Sequence, residues 1–159
     1  MKHVFFYDTE IGKIGIAADG NYITNVYFMN ELDAVVKEAD AEVKETPLIK
    51  EAGKQLKEYM EGRRTEFDLP LNPSGTEFQK NVWKALMAIP YGTTKSYRDI
   101  AREIGNEKAC RAVGMANNRN PIPIFIPCHR VIGADGKLVG YGGGLDKKTY
   151  LLNLERLGA

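Results

Sequence analysis

Alternating apolar residues near the start of the chain predict a small antiparallel sheet. Three stretches have the β-branched and aromatic composition of strands, and Asp19-Gly20 is a hairpin signal between the second and the third. They are Val4–Tyr7, Lys13–Ala17 and Tyr22–Phe28. Apolar residues then recur at helical spacing over residues 31–39, and Thr46-Pro47 opens a stronger helix. The core stripe of that helix is predicted to be Leu48, Ala52, Leu56, Tyr59 and Met60.

The helical spacing of apolar residues predicts that the rest of the chain is mostly helical. Capping-box patterns begin at Thr76 and Ser96, each followed by an apolar stripe, and Gly105 suits the end of the second helix. Asn106 is a candidate cap for a third helix that runs to about Asn118. Two short helices joined in this way indicate a helix-turn-helix, although an αα-hairpin with a solvated basic face fits the pattern equally well.

Residues 69–75 contain two prolines and a glycine and are typical of a linker. We therefore predict an α+β domain over residues 1–74 and a helical domain over residues 75–159. The first carries a net charge of −5 and the second +6, although the whole chain is close to neutral at +1. Such asymmetry often marks a module that binds a polyanion, and chance sorting of surface charge is the alternative.

Composition narrows the class of protein further. The chain has 159 residues, 43% hydrophobic and 27% charged, which suits one or two globular domains. No apolar run approaches the roughly 20 residues of a membrane span, and the first residues do not resemble a signal peptide. We therefore expect a cytoplasmic protein without a membrane partner. The two cysteines and two histidines do not form a zinc framework, and no disulfide is expected.

Candidate chemistry is concentrated in residues 120–131. Three prolines exclude a helix there, and the apolar residues between them predict a strand that leads directly to Cys128 and His129. A thiolate is the nucleophilic form of cysteine, and a neighbouring His⁺ or Arg lowers the thiol pKa. The alternative is a buried structural cysteine. Cys110, inside the predicted third helix, is interpreted as a packing residue.

The last part of the chain contributes a loop and a carboxylate. Residues 133–140 predict a hairpin, and residues 141–144 form a glycine-rich loop whose amides can approach a ligand closely. A final helix from about Asp146 places Glu155 on the same face as Leu151 and Leu154. A carboxylate on an apolar face needs a partner, for which His129 is the candidate. The alternative is a Glu155 exposed at the surface.

Eight short motifs, in this order and spacing, resemble those of one family of DNA repair proteins, the O6-alkylguanine-DNA alkyltransferases. The motifs are GTEFQ at 75–79, VWKAL at 82–86, IPYG at 89–92, SY at 96–97, RAVG at 111–114, NP at 120–121, PCHRV at 127–131 and YGGGL at 141–145. The resemblance implies a ribonuclease-H-like N-terminal domain followed by a winged-helix domain with a helix-turn-helix. Non-catalytic relatives typically have tryptophan in place of the cysteine, so Cys128 argues against that alternative.

The same resemblance implies an activity and a partner. The protein would bind double-stranded DNA through the minor groove as a monomer, flip out an O6-alkylguanine and move its alkyl group irreversibly to Cys128, once per molecule. O4-alkylthymine as a second substrate stays open. No metal or organic cofactor is implied. A winged-helix regulator without chemistry and a cysteine hydrolase are the competing functions.

The resemblance also implies roles for individual residues. Cys128 would accept the alkyl group, His129 would act through a water as its base, Glu155 would orient His129, and Asn120 would brace the turn beneath the active-site strand. The residues implied to contact DNA are Ser96, Tyr97, Arg111, Ala112 and Gly114. Those implied to line the guanine pocket are Tyr97, Val131, Tyr141, Gly142, Gly143 and Lys148. Some relatives have a serine where this chain has Gly142, which leaves only loop amides to face O6.

Overall fold

A computed structural model describes residues 2–28, 41–133, 136, 141 and 144–158 of the chain. The chain divides into two compact units, Met1–Pro73 and Ser74–Ala159. The helix predicted over 31–39 and most of the hairpin predicted over 133–140 fall outside the described residues. Among those that are described, no helix combines the length and apolar character needed to cross a membrane.

A four-stranded sheet forms the first unit. Its strands are β1 (His3–Thr9), β2 (Gly12–Ala18), β3 (Ile23–Phe28) and β4 (Glu42–Val43). The order is β3-β2-β1-β4, with β1–β2 and β2–β3 antiparallel and β4 parallel to β1. The three predicted strands are confirmed, and Gly20 has the positive φ of 112° expected at a tight hairpin. Strand β4 has only two residues and was not predicted from the sequence.

Helix α1 (Pro47–Met60) packs on β1 and β2. Its inward stripe is shifted slightly from the prediction, because Ile49 is fully buried whereas Leu48 is only half-buried. Gly53 lets the helix backbone approach the sheet closely. A Cβ at Gly53 would lie 2.5 Å from the ring of Tyr7, so a larger residue would push the helix outwards.

The second unit is mostly helical, as predicted. Its helices are α2 (Glu77–Met87), α3 (Tyr97–Glu103), α4 (Cys110–Asn118) and α5 (Leu145–Gly158). The short strands β5 (Lys95–Ser96) and β6 (Val131–Ile132) pair in parallel, and a 3-10 turn at Cys128–Arg130 precedes β6. Both predicted capping boxes form, at Thr76 before α2 and at Ser96 before α3. Residues of a wing would fall in 133–140, of which only Gly133 and Gly136 are described.

The prediction that Asn106 caps the third helix is wrong. Asn106 N–H donates to Ala101 O at 2.9 Å and Asn106 O accepts from Ala109 N–H at 3.0 Å. These two bonds build a turn after α3, so the next helix begins only at Cys110. Cys110 therefore lies at the first position of α4, half-buried, and not in the middle of a helix.

Trp83 joins α2 to α4 in the core of this unit. Its indole Nε1–H donates to Ala116 O at 2.8 Å, and the side chain is 2% exposed. Gly75 lies against the same ring, because a Cβ there would approach it to 2.5 Å. The bond ties the last turn of α4 to α2, and α4 is the helix that leads into the segment carrying Cys128.

Candidate active site

The segment before Cys128 is a compact turn, and the predicted strand is wrong. Ile126 N–H donates to Ile122 O at 2.9 Å, and Ile124 has a φ of 75°, which is rare for a β-branched residue. Asn120 bridges the turn: its Nδ2 donates to Ile126 O at 2.8 Å and its Oδ1 accepts from Ile122 N–H at 2.9 Å. Prolines lack the N–H groups of a strand ladder, so side-chain hydrogen bonds hold this segment instead.

The short pairing of β5 with β6 places Cys128 beside the start of α3. Lys95 pairs with Val131 and Ser96 with Ile132. Because Tyr97 follows Ser96 directly, this register brings its phenol near the cysteine. Burial, and then the charge of a Cys128 thiolate, raise the pKa of Tyr97 above its ordinary value. The structure thus brings together Tyr97 and Cys128, which are 31 positions apart in the sequence.

The expectation of a lowered thiol pKa at Cys128 is wrong. Burial raises the pKa of this thiol to about 11, although Asn120 and the ammonium group of Lys148 act in the opposite direction. His129 is also completely buried, which lowers its pKa despite the Glu155 carboxylate. Both side chains are therefore uncharged near neutral pH. The resting state is a thiol beside a neutral imidazole, so attack by sulfur requires proton transfer at that moment.

His129 and Glu155 form the predicted pair. Nε2 of His129 lies 2.7 Å from Oε2 of Glu155, and the two side chains are 0% and 1% exposed. Since a carboxylate oxygen accepts, Nε2 carries the proton of the neutral ring and Nδ1 is the basic nitrogen. Glu155 is thus a buried partner of His129, and the surface alternative is excluded.

Arg130 is a site residue to which the sequence analysis gave no role. Its Nε donates to Glu155 Oε1 at 2.8 Å, and its Nη2 donates to Glu155 Oε2 at 2.9 Å. Its Nη1 donates to Ile89 O at 2.7 Å, and the guanidinium lies 5.8 Å from the centre of the Tyr91 ring. The signal that could have found it is a charged residue inside an apolar run, which must have a buried partner.

Lys148 is fully buried next to the same segment. Its Nζ donates to Val131 O at 2.6 Å. Burial lowers the pKa of Lys148 to about 8, and a Cys128 thiolate would raise it again. Asn117, which the sequence analysis missed, donates from Nδ2 to Cys128 O at 3.4 Å and is 1% exposed. The carbonyl groups of Cys128 and Val131 are therefore held in place by α4 and α5 respectively.

The residues implied to contact DNA lie around α3 and α4. Arg111 and Ala112 are exposed in the first turn of α4. Gly114 faces the half-buried Tyr97 with space for a Cβ 3.9 Å from that ring. The Ser96 hydroxyl accepts from Asp99 N–H at 3.1 Å, so its side chain serves the helix cap.

The glycine-rich loop is only partly described. Tyr141 is half-buried, whereas Gly142 and Gly143 lie outside the described residues. Over the described part of the chain, no group of three or more His, Cys, Asp or Glu side chains could hold a metal ion. The arrangement that is described, a buried thiol next to a neutral histidine with an oriented carboxylate, can perform nucleophilic displacement.

Comparison with known proteins places both units in one family. Residues 3–73 match the ribonuclease-like domain of 6-O-methylguanine DNA methyltransferase, and residues 77–157 match its DNA-binding domain. The chain is 51% identical to a methylated-DNA–protein-cysteine methyltransferase of Methanosarcina acetivorans, over 94% of this chain and 95% of the relative.

Solved structures agree with this assignment. The O6-methylguanine methyltransferase of Mycobacterium tuberculosis is similar over 100% of this chain and 95% of its own, with a TM-score of 0.91 and 46% identity. A structure of the M. tuberculosis protein in complex with DNA is similar with a TM-score of 0.90 and 46% identity, over 99% of this chain and 94% of that one. With both of its domains matched, the chain belongs to the 6-O-methylguanine DNA methyltransferase family.

Proposed function

We propose that Sγ of Cys128 is the atom that receives the alkyl group from O6-alkylguanine in DNA. The protein is a methylated-DNA–protein-cysteine methyltransferase that repairs O6-methylguanine directly. The observation that carries the assignment to Cys128 is the 2.7 Å hydrogen bond between His129 and Glu155, because it leaves a basic nitrogen on the residue next to a buried thiol. A merely structural cysteine needs no such pair.

The reaction is a displacement at the alkyl carbon. His129 Nδ1 takes the thiol proton, through one water, as sulfur forms its bond to carbon. The bond from that carbon to O6 breaks, and its electron pair leaves with the guanine, which regains its ordinary form after taking up a proton. The products are a thioether on Cys128 and unmodified guanine, so atoms and electrons balance without an oxidant or reductant.

Burial of the thiol has a cost and a benefit for this chemistry. The cost is the raised pKa, which keeps most of Cys128 protonated at neutral pH. The benefit is that the nucleophile reacts away from bulk water, where the nearby Lys148 ammonium and Asn120 amide favour developing negative charge on sulfur. General base catalysis by His129 offsets the cost at the moment of attack.

The proposed product explains a single turnover. A thioether has no good leaving group, and thiol exchange, which reverses disulfides, does not cleave it. Cys110 is the only other cysteine of the chain and lies at the start of α4. Each molecule therefore repairs one lesion.

DNA reaches the site through the second unit. Its sequence has a net charge of +6, and Arg111 is exposed in the first turn of α4. We assign α4 to the minor groove, with Arg111 entering the base stack and Tyr97 contacting the flipped nucleotide beside Cys128. The held carbonyl groups of Cys128 and Val131 face the guanine edge, and one protein monomer acts on one lesion. The M. tuberculosis relative crystallised with DNA supports the DNA partner.

Intact-mass analysis tests the assignment. After incubation with a duplex that contains O6-methylguanine, the protein should gain the mass of one methyl group, which peptide mapping should place on Cys128. The Cys128→Ser variant should gain none yet still bind the duplex, whereas the matched control Cys110→Ser should react as the unmodified protein does. Binding without any methyl gain would favour a regulator, and a methyl group on Cys110 would reject Cys128 as the acceptor.

A further inference from the structure

We propose that Arg130 is a positioning residue for alkyl transfer: it neutralises the Glu155 carboxylate and thereby keeps His129 an uncharged base. This inference rests on the proposed role of Cys128 and His129 and extends it to a residue on the other side of the carboxylate. The described hydrogen bonds of Arg130 go to Glu155 and to Ile89 O. Arg130 acts through Glu155, and its effect is on the protonation of His129.

The geometry makes Arg130 the principal partner of Glu155. Two parallel hydrogen bonds of 2.8 and 2.9 Å join the guanidinium to the two carboxylate oxygens, whereas His129 makes one bond of 2.7 Å to Oε2. Gly92 N–H donates a fourth bond to Oε1 at 3.2 Å. Arg130 is 7% exposed and Glu155 1% exposed, so the ion pair is shielded from solvent.

The net charge of the Arg130–Glu155 pair determines whether His129 can accept the thiol proton. A buried carboxylate without a cation would stabilise its partner as imidazolium, and an imidazolium cannot accept the thiol proton. With Arg130 attached, the carboxylate and guanidinium together carry no net charge. Burial of the ring, and then Arg130 and Lys148, lower the His129 pKa, whereas Glu155 raises it. Among the described residues, the charged groups that act on the ring are Glu155 and Lys148 on α5 and Arg130 on its own segment, in which Cys128 directly precedes His129.

Arg130 also fixes the position of the carboxylate relative to the loop after α2. Its third donor, Nη1, bonds to Ile89 O at 2.7 Å, and its guanidinium lies near the ring of Tyr91. A lysine could supply the charge but not three directed bonds, because its ammonium lacks the planar fork. Arginine at this position therefore supplies both the charge and the orientation that a fixed His129 tautomer requires.

The experiment compares Arg130→Met and Arg130→Lys with the unmodified protein. The first readout is the pH dependence of alkyl transfer from free O6-benzylguanine, a substrate that needs no DNA. The second is the ¹⁵N NMR spectrum of the histidines, of which the chain has two, so a His3→Gln background isolates His129. The control is Arg64→Met, which breaks a 2.9 Å ion pair to Glu58 in the first unit, remote in sequence from Cys128.

In the unmodified protein, NMR should show a neutral His129 ring with its proton on Nε2. In Arg130→Met, the His129 pKa should rise and the acidic limb of the rate profile should move to higher pH. Each tenfold gain in proton affinity lowers the rate about tenfold on that limb. Arg130→Lys should shift the limb less, and Arg64→Met should not shift it.

Three results would overturn the inference. They are an imidazolium at His129 in the unmodified protein at neutral pH, an Arg130→Met rate that falls equally at every pH, and an Arg130→Lys profile identical to that of Arg130→Met. If Arg130→Met fails to fold, the inference is still tested by the ¹⁵N NMR spectrum of the unmodified protein and by the pH–rate profile of Arg130→Lys. A failure of the proposed function is distinct, because the unmodified protein would then leave Cys128 without a benzyl group whatever the state of His129.

Discussion

Nε2 of His129 and Oε2 of Glu155 lie 2.7 Å apart in an environment closed to solvent, and this contact determines which ring nitrogen is basic. A carboxylate can only accept, so the neutral ring must carry its proton on Nε2. Nδ1 is then the nitrogen available for the thiol proton. The role of Glu155 is orientation more than charge, because Arg130 already compensates the carboxylate.

Glu155→Gln should slow alkyl transfer at neutral pH about 10- to 100-fold, by analogy with the loss of a residue that orients a metal-bound histidine. The amide can donate to His129 as well as accept, so the tautomer is no longer fixed, and Arg130 loses its counter-charge. The deficit should narrow only as pH rises towards 11, the raised pKa of Cys128, where hydroxide replaces the base. The rates of transfer from free O6-benzylguanine, measured from neutral pH to pH 11, test this prediction. An unchanged profile would mean that Glu155 has no role in proton transfer.

The Cys128 thiol should react slowly with iodoacetamide near neutral pH and faster as pH rises towards 11. Burial raises its pKa above the reference of about 8.5, so the native state holds the proton more tightly than the unfolded chain. The stability that this group contributes is therefore complete below the unfolded pKa and is lost as pH rises through the folded pKa. A Cys110→Ser background leaves Cys128 as the one thiol that iodoacetamide can alkylate. The pH dependence of the free energy of unfolding, compared with that of Cys128→Ala, gives the contribution of this thiol to stability. Rapid alkylation at pH 7 would show a lowered pKa instead.

Asn120→Ala should destabilise the second unit by about 1–3 kcal/mol and slow transfer. The substitution leaves Ile126 O and Ile122 N–H without their side-chain partners, in a turn that already holds Ile124 at a positive φ. Urea unfolding and transfer from the free base measure the two effects. Asn118→Ala, at an exposed position in the last turn of α4, is the matched control and should change neither quantity by much.

Arg111→Ala and Tyr97→Phe should slow repair of duplex DNA far more than transfer from free O6-benzylguanine. Arg111 is assigned to the base stack and Tyr97 to the flipped nucleotide, and both contacts would favour the extruded state, which the free base does not require. Arg111 is exposed on α4, so its loss should not disturb the core. Parallel single-turnover rates on the two substrates give the comparison. An equal loss of rate on both substrates would mean that these residues act in the transfer step or in folding.

Local patterns were the most predictable part of the fold. In the capping boxes at Thr76 and Ser96, each side chain binds a backbone group only three residues away. A four-residue motif is therefore enough to predict them. The three strands and their hairpin followed from composition and one Asp-Gly turn. The predicted Asn106 cap does not form, because the backbone N–H and C=O groups of Asn106 are hydrogen-bonded in the turn after α3.

By itself, the sequence predicted the two-part organisation and the candidate nucleophile, and it named His129 as a partner for Glu155, because a charged residue on an apolar face needs one. The tertiary structure decided between that pairing and a Glu155 at the surface. Only the tertiary structure decided that Arg130, 25 positions from Glu155, is the stronger partner of that carboxylate. It also reversed the expected direction of the Cys128 pKa. A pKa depends on how completely packing excludes water, and burial is a property of the whole fold that no local motif contains.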